Sequence, residues 1–241
     1  MRILVLAAAL LAQSAPAFDV TSVKPNTGTQ DFVRFDPQPG GRLRITNASL
    51  RMVVSWAYAV QNTQLEGGPD WFDRERFDFL AKAEGNPATD EMRLMLRTLI
   101  VDRFKLRFHN ETREIPVYAL TRPRPDAKLG PALSSSDSNC GAPPDGKPRK
   151  CEYDVRPGNV HGHGIPLELL ITALAGFSGR VVVDRTGVTG PVDFDLTWTA
   201  PDAGGPSLFT AIEEQLGLKL EPTRAPVGIM VIDSAEKPAG D

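Results

Sequence analysis

The chain has 241 residues, 41% of them apolar and 24% charged, with a formal net charge of −3. That is long enough for one large domain or two small ones with a real core, and too apolar for a disordered chain. Its mildly acidic balance offers no electrostatic footprint for nucleic acid or an anionic membrane, so neither is an expected partner.

Met1 to Ala17 reads as a secretory signal. Arg2 gives a minimal positive start, Ile3 to Ala12 an apolar run, and Ala15-Pro16-Ala17 the small-x-small pattern that a signal peptidase accepts. The alternative is an apolar first strand or helix of the fold. The run is about half the length a spanning helix needs. No later stretch is apolar enough to insert, so the expectation is a mature chain from Phe18, exported to a periplasm or beyond. Export gives meaning to the two cysteines. Cys140 and Cys151 sit in SSSDSNCGAPPDGKPRKC, a stretch with no apolar periodicity. A disulfide stapling that loop is expected there; two free thiols or half of a metal site are the alternatives, disfavoured by the absence of a C-x-x-C spacing or a nearby histidine.

Phe18 to Lys24 and Asp31 to Asp36 are short β-prone segments around the turn-like PNTG. Leu43 and Ile45 alternate with Arg42, Arg44 and Thr46, a strand with one wet face. Asn47 or Ser49 can cap a helix carrying Leu50, Val53, Val54 and Ala57 on one side. The run QNTQLEGGPDWFD reads as loop and short strand. Phe77, Phe79 and Ala81 form the next strand. A long helix carries Met92, Met95, Leu96, Leu99, Ile100 and Phe104, and two strands follow, one at Leu106 and Phe108 and one over Val117 to Leu120.

Beyond the cysteine loop the order returns. Val160 to Gly164 is a candidate strand. A helix carries Leu167, Leu170, Ile171 and Leu174, and Val181 to Val183 form a short buried strand. Val192, Phe194, Leu196 and Trp198 alternate with polar residues. A last helix carries Leu208, Phe209, Ile212 and Leu216, and strands begin at Leu218 and at Val227. Leu50 to Leu167 is 117 positions, and so is Phe77 to Phe194. The chain therefore divides into a first half over 18–122, a connecting loop over 123–158 and a second half over 159–241. Each half reads strand, helix, two strands, helix, two strands; chance likeness between generic amphipathic elements is the alternative. Striped helices beside one-faced strands predict an α+β two-layer sandwich with largely antiparallel sheets and helices on one face.

Several phrases add a resemblance: FDVTSVKPN, GGRLRITNASLRMVVSWAYAV, RFDFLAKAEG, EMRLMLRTLIVDRFKLRFHNETREIPVYAL, GRVVVDRTGVTGPVDFDLTW and SLFTAIEEQLGLKLEPTRAPVGIMVID. Together they resemble the soil-associated protein family, a domain of unknown function in exported proteins of acidobacterial soil bacteria. Similar domains occur fused behind membrane-embedded metallopeptidase sensors. The resemblance implies class and location, and a sensing or binding role, but no catalytic residue. More loosely, the repeat unit is similar to the short N-terminal domains of secretins and outer-membrane receptors, which mediate protein contacts. The chain departs from the family pattern at His161-Gly162-His163-Gly164 and at Val192.

A search for chemistry finds no G-x-S-x-G, no H-E-x-x-H and no phosphate-binding loop. His161 and His163 are two apart, so on a strand they share a face and could hold a metal if a third ligand joined them; the bland reading is a wet face. Asp193 and Asp195 could do acid–base work if brought to hydrolase spacing, yet their alternation with Phe194 and Leu196 is what a solvated strand face shows. Trp71 and Phe72, in a loop after Gly67-Gly68-Pro69, either contact a ligand or partner or plug a core edge. The sequence thus points to a non-catalytic ligand- or protein-binding module of the cell envelope with no cofactor and an unidentified partner. An extracytoplasmic hydrolase and a structural envelope component are the alternatives.

Overall fold

A computed structural model describes residues 15–29, 32–124, 128–140, 151–200 and 204–238. Of the expected signal segment, Met1 to Ser14 lie outside the described residues. The fold is mixed α+β, built from three four-stranded, mostly antiparallel sheets.

The first sheet contains β1 (Val20–Pro25), β2 (Arg34–Gln38), β3 (Arg42–Ala48) and β5 (Phe77–Lys82), in the order β1-β5-β3-β2. Alternation does the sorting: Val23, Leu43, Ile45, Phe77 and Phe79 turn inward, and every second residue turns out. The inward side packs on α1 (Leu50–Tyr58) and α3 (Thr89–Phe104), whose buried residues recur at three- and four-residue spacing. Ser49 caps α1 by accepting the Met52 N–H. This first core is aromatic: the Phe104 ring meets Phe77, Phe79 and Trp71 at centroid distances of 5.4, 5.9 and 6.3 Å.

The second sheet contains β7 (Leu133–Ser135), β8 (Glu152–Arg156), β9 (Asn159–Pro166) and β11 (Pro191–Thr197), in the order β7-β11-β9-β8. Its inward side packs on α4 (Leu167–Ser178), on the short α5 (Leu208–Ala211) and on the π-helical turn Ile212–Leu216 that continues it. Leu170, Leu174, Val192 and Leu196 dominate a core that is mainly aliphatic. Two of its strands, β7 and β8, come from the segment 123–158, where polar composition suggested only loop.

A third sheet joins the two ends, in the order β10-β6-β12-β4. Its centre is an antiparallel ribbon of β6 (Arg107–Thr121) and β12 (Lys219–Ser234). The sequence suggested two strands in each of these stretches, within which Pro116, Pro222 and Pro226 fall. Each runs on as one strand because the prolines lie where their missing donors are not needed. Tyr118 sends its N–H away from β12, to the Val181 carbonyl. Pro116 shares that direction by alternation, and Pro222 and Pro226 share it through their pairing with Tyr118 and Glu114. The edges of the sheet are short parallel strands, β4 (Leu65–Gly67) on β12 and β10 (Val182–Arg185) on β6. A strand from before the connecting segment thus pairs with one from after it at both edges.

The hydrogen-bond registers superpose the two end sheets strand for strand. Ile45 faces Phe79 in the first sheet, and Gly162 faces Phe194 in the second. Phe194 therefore corresponds to Phe79 rather than to Phe77, a slip of two residues from the sequence overlay. Alternation cannot see such a slip, because a shift of two leaves every side chain on the same face.

Candidate functional site

The residues singled out in the sequence fall into three settings. Trp71 and Phe72 lie on the short helix α2 (Trp71–Arg74). Phe72 is 0% exposed and Trp71 stacks on Phe104, so both side chains serve the first core. The Arg51 guanidinium lies 5.4 Å from the Phe72 ring centroid and pairs with Asp73, fastening α2 onto α1.

Cys140 and Cys151 form a disulfide, with 5.8 Å between their Cα atoms. It ties the chain leaving β7 to the start of β8. The Cys140 N–H also donates to the Gly164 carbonyl at 2.8 Å, which docks the bridge on β9.

His161 and His163 project from the solvent side of β9. His161 Nε2 lies 3.4 Å from Glu152, and His163 Nδ1 lies 2.9 Å from Asp193. The glycines between them explain the His-Gly-His-Gly pattern. A Cβ at Gly162 would sit 2.5 Å from Ile165 Cδ1 and 2.6 Å from Phe194 Cζ, so the inward position has no room for one. Gly164 has φ +70°, and a Cβ there would approach Cys140 Sγ to 2.9 Å. Among the described residues no three His, Cys, Asp or Glu side chains converge as a metal would require.

Asp193 has a structural counterpart, and this decides how to read it. Its carboxylate accepts the Gly164 N–H at 2.8 Å and a hydrogen bond from the Ser136 side chain. In the first sheet Asp78 accepts the Asn47 N–H at 2.9 Å and the Asn26 side-chain amide at 2.8 Å. Asn47 and Gly164 are both left-handed, at φ 56° and 70°. In both sheets, then, a carboxylate ties down a left-handed residue just before a helix. Burial pushes the Asp193 carboxyl up, but the bonds from Ser136 and Gly164 and the nearby His163 outweigh it and hold it below its ordinary value. Asp195 accepts from Asn159 at 3.2 Å, and Asp184 accepts the Thr186 N–H at 2.8 Å in its turn.

A third ionic group, which the sequence reading did not assemble, sits on the central ribbon. His109 bonds Asp233 at 2.8 Å and Glu111 at 3.1 Å, while Arg113 bridges Glu111 and Glu66 at 2.6 Å each. The bonds from Glu111 and then Asp233 raise the imidazole pKa above 6.5. His109 and Asp233 are far apart in sequence, and only the β6–β12 register brings them together.

What the fold leaves uncovered are the outward faces of the two end sheets. On the first, Arg42, Arg44 and Lys82 surround the exposed Val20 and Leu80, which are 65% and 50% exposed. They line a shallow concavity of about 320 Å³. Its floor is apolar and its rim cationic. No described residue forms an ion pair with those three cations. On the second sheet the same face carries Glu152, Asp154, Asp193 and Asp195 beside the two histidines, and no large exposed apolar side chain.

This is a mixed α+β protein in which Arg42, Arg44 and Lys82, on the open face of the first sheet, have no ion-pair partner among the described residues. It belongs to the family described as "Protein of unknown function (DUF3738)", whose model matches residues 51–235. No curated protein and no solved structure matches the chain. No helix among the described residues is long and apolar enough to cross a membrane.

Proposed function

We propose that this is a non-catalytic binding module of the cell envelope, which takes an acidic partner with an apolar anchor on the open face of its first sheet. The observation that carries the reading is the concavity over Val20 and Leu80, rimmed by Arg42, Arg44 and Lys82. A carboxylate on the partner would meet a guanidinium in charge-assisted bonds, while an apolar side chain would cover Leu80. Export is supported by the disulfide, which persists in oxidising compartments, and by the signal-like sequence of Met1 to Ala17. We also read the chain as a duplicated unit with halves over 18–122 and 133–241, the second taking in β7 and β8 from the segment that the sequence suggested as a connecting loop. The matched strand orders and the paired roles of Asp78 and Asp193 support that reading. Against the hydrolase alternative stands the role of Asp193, which its counterpart shares without any histidine beside it.

Selection of displayed random peptides on the purified chain tests the binding face. Enriched peptides should combine acidic and apolar residues and should lose their hold on the R42E/R44E variant. Enrichment of neutral or basic peptides, or equal binding to that variant, would sink the reading.

A further inference from the structure

The two open faces belong to corresponding sheets, yet they carry opposite charge. On the first, Lys24, Arg34, Arg42, Arg44 and Lys82 point outward with only Asp36 and Asp78 among them, a net of +3. On the second, four carboxylates (Glu152, Asp154, Asp193 and Asp195) point outward with only Arg156, a net of −3 with the histidines neutral. Much of the first charge is left unmatched: Asp36 is 3.8 Å from Arg34, and Asp78 is engaged by Asn26 and Asn47. On the second, Asp154 is held by Arg156 at 2.8 Å, while Glu152 is 71% exposed.

The faces cannot neutralise each other within one chain. The ribbon separates them: Phe108 packs in the first core and Leu120 in the second. The twelve residue steps from Phe108 to Leu120 span roughly 40 Å of strand. We infer that the acidic partner of the first sheet's open face is the second sheet's open face on another copy of this chain, so that copies associate end to end. This rests on the binding-module reading and supplies its acidic half alone: the carboxylates of the second sheet meet the rim cations of that same face, and that acidic face brings no large apolar side chain to the floor over Val20 and Leu80. Like faces repel, so the pairing is directional, and the contact is of the heterologous kind that builds dimers or longer series. Because its complementarity is electrostatic, it is weak and salt-sensitive rather than permanent.

Sedimentation velocity on the full chain, from about 1 µM to about 0.1 mM, reads this directly. At about 50 mM salt the wild-type chain should move to dimers and larger species as concentration rises, and at about 0.5 M salt it should revert. R42E/R44E should stay monomeric over the range, and so should E152K/D195K, each by about tenfold or more in apparent affinity. Mixed in equal amounts, those two variants should restore a heterodimer through their intact faces. A monomeric wild-type chain at every concentration would overturn the inference, as would association that R42E/R44E leaves unchanged. If the chain is monomeric but still binds the selected acidic peptides through Arg42 and Arg44, the self-pairing fails and the binding-module reading stands. If it does neither, both fail.

Discussion

The two ends of the molecule share a strand order and a carboxylate tie but fill their cores in different ways. The first end buries Phe72, Phe77, Phe79 and Phe104 under a 16-residue helix. The second end is mainly aliphatic and replaces that helix with four α-helical residues and a π-helical turn. It adds the disulfide that the first end lacks. At Ile45 and Gly162, which hold the same register position, one sheet sends a side chain into the core and the other makes room for Phe194 and Ile165. Topology and backbone ties are held in common, and the volume of the core and the charge of the open face vary around them.

That comparison can be broken at several strengths. Phe104→Ala should cost about 4 kcal/mol and Leu174→Ala about 3, because each opens a cavity in a fully buried site. Chemical denaturation should show both as losses from one cooperative transition, since the shared ribbon couples the two cores. Reducing the disulfide, or changing both cysteines to serine, should cost about 2 to 3 kcal/mol through the loop that it closes. Hydrogen exchange would locate that loss around β8 and β9 and leave β3 and β5 protected.

Volume changes at the matched position should both destabilise, for opposite reasons. Ile45→Ala leaves a void costing about 2 to 4 kcal/mol, whereas Gly162→Ala overpacks against Phe194 by about 1 to 3 kcal/mol. If Gly162→Ala raised the melting temperature, the account of the His-Gly-His-Gly stretch would be wrong.

The carboxylate ties should behave alike. Asp78→Asn and Asp193→Asn should each cost about 1 kcal/mol, reduced from the value for a fully buried charged hydrogen bond because both sites are partly wet. Asp193 has a folded-state pKa below its unfolded one. Its contribution is therefore present above the ordinary carboxylate range and lost as pH falls through the folded value. A melting series in acid should show a smaller loss for Asp193→Asn than for the wild-type chain, because Glu111, whose carboxyl is also held low, still contributes to both.

The smallest effect belongs to His109, whose pKa is raised by exposed partners. Stability from that group is fully present below about pH 6.5 and fades as pH rises through the folded value. A proton NMR titration of His109 should give a midpoint above 6.5. Removing Asp233 by changing it to Asn should bring the midpoint down.

Much of the local structure was legible in the sequence. The stripes of α1, α3 and α4 and the alternation of β3, β5, β9 and β11 identify each element, and the loop composition around Cys140 and Cys151 anticipated their bridge. The central sheet was not legible, because β4 on β12 and β10 on β6 are long-range pairings that no local pattern records. The continuity of β6 and β12 was not legible either, since whether a strand tolerates Pro116, Pro222 and Pro226 depends on which way its donors point, and only the register shows that. Strand β8 was hidden by its polar composition, with all five residues exposed. For Phe72 the sequence leaves contact surface and core plug both open, because a loop setting does not reveal that a single turn of helix tucks it inward. The open faces were readable only in part. Arg42 and Arg44 were recognised as the wet side of a strand, but the strand order that sets them beside Lys82 and Leu80 was not.

The most direct test of the binding account is the affinity of one selected acidic peptide for four chains: wild type, R42E/R44E, D193N and H163A. The account predicts a loss of about tenfold or more in R42E/R44E alone, with D193N and H163A binding as the wild type does. Binding that survives in R42E/R44E but disappears in D193N or H163A would contradict it, and would move the working surface to the second sheet.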